Sequence, residues 1–170
     1  MTRAAVHFEH RDAHGLVATF RNVVLVVVHD ALTIDLLSAS VRANRNIAPK
    51  HPAGVASLTT VSMGIRFPSA AERAVASEAI AAVRDSVRCA AQHISGDGFW
   101  ASAARSIVTA IEMIRPDDRP RRTFTSLPDA TQWIASCMQE DLNWARELEA
   151  VMNELVESTV RRGASPERPV

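Results

Sequence analysis

At 170 residues and 18.5 kDa the chain has room for one packed domain of ordinary size and hardly for two. Hydrophobic residues at 47% and charged residues at 22% are near the soluble globular average, which excludes a disordered, collagenous or membrane-embedded chain as the main reading. Nineteen basic residues balance nineteen acidic ones, and this argues against a nucleic-acid partner, because phosphate affinity needs Lys and Arg in excess on one face.

The N-terminal stretch mixes charged and apolar residues from the start, without the apolar run of a secretory signal. The longest purely apolar run, Val23 to Val28, is far below the roughly 20 residues a helix needs to cross a bilayer, so no membrane insertion is expected. Cys89 and Cys137 stand far apart with no CxxC or Cys/His cluster. Free thiols in a reducing cytoplasm fit them better than a structural disulfide.

Short β-branched runs alternate with helical periodicity, the mark of an α/β layer fold. Residues 4–10 and 16–20 read as short strands around the turn Asp12-Ala13-His14-Gly15. Residues 23–29 read as the central strand, since a near-continuous Val/Leu run is buried on both faces only under helices above and below. A first helix starts at the N-cap Thr33 and runs to about Asn46, with Ile34, Leu37 and Val41 on one stripe and Leu36, Ala39 and Ala43 beside it. After a break at Pro49, Pro52 and Gly54, Val55 to Val61 is the next strand. Ser69, with Glu72 three residues on, forms a capping box for a second helix that buries Ala76, Ile80, Val83 and Val87 or their neighbours. Arg88 to Ser95 is a strand, and Gly96-Asp97-Gly98 turns the chain into a third helix striped by Trp100, Ile107, Ile111 and Ile114. Arg122 to Thr125 is a last strand, and Ser126 with Asp129 starts a helix through Met138.

The expected fold is therefore α/β, a mixed sheet of about five strands covered by four helices over residues 1–138. An additional amphipathic helix follows over 139–162, then a disordered tail over 163–170. From Glu140 to Glu157 six acids face one base, with Leu142, Ala145, Leu148, Met152 and Leu155 on one side. That face either folds back over its own domain or packs against a partner or a second copy, which makes a homodimer the expected assembly.

This order of elements resembles the STAS domain, the fold of bacterial anti-sigma-factor antagonists, and the divergent SpoIIAA-like proteins. The resemblance is carried by residues 19–27, 51–58, 96–106 and 124–130 and spans about residues 5–138. It implies a non-enzymatic regulatory or protein-interaction domain, with a small-molecule or lipid carrier or sensor as the alternative. In the antagonists a phosphorylatable serine stands where the second helix begins. Here the positional candidates are Ser62 and Ser69, without the Asp-Ser-[Ser/Gly]-Gly context.

No nucleophile elbow, Walker loop or dinucleotide fingerprint is present, and no catalytic residue, metal site or cofactor is assigned. His7, His10 and His14 do not converge on an extended segment. His29 and Asp30 lie at the carboxyl end of the central strand, where α/β folds place ligands, and are ligand candidates set against a hydrogen-bonded or capping pair. Gly96 and Gly98 before a helix N-terminus, with Arg105 beyond, are an anion candidate, opposed by the charge of Asp97.

Overall fold

The computed structural model describes residues 5–96, 106 and 119–163. The strands are β1 (Val6–Arg11), β2 (Gly15–Phe20), β3 (Val23–Val28), β4 (Val55–Val61), β5 (Val87–Ile94) and β6 (Arg121–Phe124). The helices are α1 (Ile34–Ile47), prolonged by a 3-10 turn over Ala48–Lys50, α2 (Ala70–Ala82), α3 (Leu127–Met138) and α4 (Leu142–Gly163). The sheet thus has six strands rather than about five, in the spatial order β1-β2-β3-β4-β5-β6. β1, β2 and β3 form an antiparallel meander, and β3 through β6 run parallel. The third predicted helix lies outside the described residues. Among the described residues no helix is long and apolar enough to cross a membrane.

β3 shows why the sheet must be covered on both faces. Val23, Leu25 and Val27 enter one core, while Val24, Val26 and Val28 enter the other. With period-two alternation, a strand apolar at every position has no face to give to water. α1 covers the second face, and α3 and α4 cover the first. The Thr33 hydroxyl accepts the Leu36 N–H and caps α1 as expected. The buried stripe of that helix is Leu36, Ala39, Ala43 and Ile47. Ile34 is 54% exposed, because the helix turns its first residue away from the sheet.

α2 begins at its capping box. The Ser69 hydroxyl accepts the Glu72 N–H, and the Glu72 carboxylate accepts the Ser69 N–H. The helix stops earlier than its sequence suggests. Val83 leaves the helical region at φ −112°, the turn is closed by the Ser86 N–H on the Val83 carbonyl, and Val87 belongs to β5.

The largest correction concerns the C-terminal helix. α3 ends with Gln139 in the left-handed conformation at φ 62°, and the Asp141 carboxylate accepts the Trp144 N–H to start α4. α4 then folds back across the sheet. Ala145, Leu148, Met152 and Leu155 are buried there, with Trp144 and Val151 beside them, in the core that also contains Leu25, Leu58 and Ile134. Leu142 alone of the expected face is exposed, at 61%. Residues 139–162 are therefore a layer of the domain and not an appendage, and four of the five residues assigned to an interface are core. Its acidic surface also finds a base within the chain, since Glu147 accepts from Arg21 at 2.5 Å.

Candidate functional site

α2 packs against α1 and stands off the sheet, and the reason lies in the residues that face each other there. Seven of its thirteen residues are alanine, too short to reach a neighbouring layer. Opposite them, β4 presents Ser57 and Thr59 where a strand inside a parallel sheet ordinarily carries Val or Ile, and β5 presents Gln92. Short side chains on both sides leave a cavity of about 190 Å³ between sheet and helices. Its wall is predominantly apolar, with Val24, Val26 and Val28 from β3, Leu36 from α1 and Ile80 from α2. Phe67 lines it and is 42% exposed, so the cavity reaches the surface at the β4–α2 loop.

Two amide groups in this wall have buried atoms with no hydrogen-bond partner among the described residues, the Gln92 carbonyl Oε1 and the Asn44 Nδ2. The other end of the Asn44 amide accepts from the Ser86 hydroxyl, which anchors that side chain to the turn before β5. Buried polar atoms are normally satisfied, so each unpaired one calls for an explanation.

The residues singled out by sequence do not assemble into one site. His29 and Asp30 are neighbours but not a pair: the Asp30 carboxylate turns outward to His14 Nδ1 at 2.9 Å, while His29 Nδ1 is buried without a partner among the described residues. Ser69 is committed to the α2 cap, and Ser62 is half-buried with its N–H bonded to the Val28 carbonyl. Gly96 adopts φ +92° against the Met63 side chain, which accounts for glycine there, and Gly98 and Arg105 lie outside the described residues.

Sequence reasoning missed a second row of polar residues near the carboxyl edge, on the sheet face opposite the cavity. Thr60 on β4 and His93 on β5 are register partners, and Thr60 Oγ1 and His93 Nδ1 are both buried without partners among the described residues. Burial holds His93 below the ordinary histidine value, against an opposing hydrogen bond with the Thr125 backbone, so its ring stays neutral near pH 7. Cys89 lies in the same face's core, where burial, with the Cys137 thiol beside it, pushes its thiol up to about 12. Both cysteines are free. A thiol held protonated in this way is a packing residue and a poor nucleophile.

The loop that closes one end of the cavity is held by charge. Arg66 donates twice to Glu72, at 3.0 and 2.7 Å, while the same carboxylate caps α2. The Arg66 guanidinium, then the Ser69 hydrogen bonds, lower the Glu72 carboxyl from 4.5 to about 2. A depressed carboxyl contributes stability that is whole above its unfolded value and is lost as the pH falls toward the folded one. The difference in Tm between the native protein and Glu72→Gln is expected to be constant above pH 4.5 and to shrink steadily down to pH 2. Thermal melts across that range check it, and a difference independent of pH would remove the capping role. Compared with known proteins, the chain matches no family model, no curated protein and no solved structure.

Proposed function

We propose that this chain is a binding protein, a carrier or sensor for a small, mainly apolar molecule held between the sheet and helices α1 and α2. One observation carries the reading: an apolar cavity of about 190 Å³ opens to the surface between a sheet and an alanine-rich helix. Close packing is the rule in protein interiors, so a space of this size beside otherwise dense cores is a feature to be explained. The other role, the regulatory or protein-interaction domain that the resemblance in element order implies, has its physical support in the apolar face of the C-terminal helix, and that face is used inside the domain's own core.

Toluene is the direct probe. Its addition is expected to shift the methyl resonances of Val24, Val26 and Ile80, which line the cavity, and to leave those of Leu148 and Leu155, in the opposite core, unchanged. Ala79 also lines the cavity, and Ala79→Leu should fill part of it. That variant is expected to gain about 0.5–2 kcal/mol of stability, as cavity-filling changes commonly do, and to lose the toluene response. An unchanged response in Ala79→Leu, or none in the native protein, would overturn the reading.

A further inference from the structure

The geometry points to a ligand class for this cavity: a ring-sized apolar body carrying one neutral hydrogen-bond donor, phenol-like or indole-like, with the donor directed at Gln92 Oε1. The inference rests on the binding role argued above and specifies its ligand.

Size sets the body. A cavity of about 150 Å³ lined by apolar side chains takes up benzene, so the 190 Å³ here admits a single ring and a few further atoms. Larger, drug-sized ligands occupy roughly 300 Å³ or more. The wall sets the polarity. Most of the described lining is Val, Leu, Ile and Ala, which rewards an apolar surface, and the one charged residue among the described lining is Arg121 of β6, the register partner of Ala90.

Gln92 sets the head group. Its Oε1 is a buried acceptor without a partner among the described residues, so what completes it is an O–H or N–H. Thr59, its register partner on β4, also lines the cavity and places a hydroxyl next to it, so that a ligand hydroxyl can both donate and accept. Asn44 does not share the same head group. It is fastened to Ser86, six residues before Gln92, and at about 3.3 Å per residue along a strand the two amides stand too far apart for one ring to bridge.

Phenol and toluene, alike in shape and different in the donor, form the test, with dissociation constants measured for the native protein and for Gln92→Leu. The ratio of the two constants is expected to move about tenfold toward toluene in Gln92→Leu, the effect of one hydrogen bond to a buried acceptor. In the native protein, phenol but not toluene is expected to shift the side-chain amide resonance of Gln92, a readout that does not depend on the variant folding. An unchanged ratio together with a silent Gln92 amide, while toluene still binds, overturns the head-group assignment and leaves the cavity reading standing. Benzoate binding more tightly than phenol would assign the head group to a cation and overturn the neutral-donor class. If neither phenol nor toluene binds, the cavity reading fails, as when the chain's own apolar side chains occupy the space.

Discussion

Truncation after Glu140 is expected to leave a chain that does not fold. Five large or medium side chains of α4, Trp144, Leu148, Val151, Met152 and Leu155, enter the core shared with the sheet and α3, with the smaller Ala145, each at most 4% exposed. Full burial of one Leu-sized side chain contributes about 1.5–3 kcal/mol, and native domains retain only about 5–15 kcal/mol in all. Removing the helix also exposes Leu25, Leu58 and Ile134 beneath it, since they belong to the same cluster. An appended helix, by contrast, would leave residues 1–138 folded and cooperative. Circular dichroism and urea titration of the truncated chain separate the two outcomes. Leu148→Ala in the full chain gives the graded version, with an expected loss of about 2–5 kcal/mol, because Leu148 is wholly buried and the space left behind cannot collapse under a rigid sheet. A loss below 1 kcal/mol would mean that α4 lies loosely on the domain.

What was legible in the sequence was local. The Thr33 cap, the Ser69–Glu72 box and the Ser126 cap each depend on residues three apart, and all three stand where the spacing puts them. The apolar run of β3 likewise announced a strand buried on two faces. What was not legible depended on partners distant in sequence. Asp30 finds His14 rather than His29, and nothing between residues 14 and 30 announces that pairing. The direction of the C-terminal helix followed from a left-handed turn at Gln139, a residue with no special preference for it. The cavity is harder still, because it is produced by what two elements both lack. Its signal was present in fragments: a strand alternating Ala56, Leu58 and Thr60 with Ser57 and Thr59, followed by an alanine-rich helix with no large residue at its centre. The zero net charge of the chain was similarly uninformative as a sum, and only the fold shows the acidic helix meeting Arg21 in the turn between β2 and β3.

Gly15→Ala is expected to be among the most damaging single changes in the protein, at roughly 3 kcal/mol or more, although it adds only a methyl group. Gly15 opens β2 opposite Val28, in a turn where the Asp12 carboxylate accepts both the His14 and Gly15 N–H groups at 2.8 and 2.9 Å. A Cβ there would be driven into the carbonyl oxygen of Val27 and would sit 3.2 Å from Leu36 Cδ1. Neither neighbour can give way easily. Val27 lies in β3, bonded to strands on both sides, and Leu36 is wholly buried in α1. Gly64→Ala is the natural contrast. Its φ of +81° strains any side chain, but nothing lies within 4 Å, so the cost should be that of the left-handed backbone alone, about 1–2 kcal/mol. Urea midpoints of the two variants check the ranking, which fails if Gly15→Ala is the milder. The change also reaches the candidate site. Leu36 is at once the neighbour of Gly15 and part of the cavity wall, so displacing it should alter toluene binding in Gly15→Ala, whereas Gly64→Ala, in the loop beyond β4, should leave any change to the loop. The smallest residue in the sheet thereby determines how close α1 can stand to β3, and with it the width of the cavity that the proposed ligand must fit.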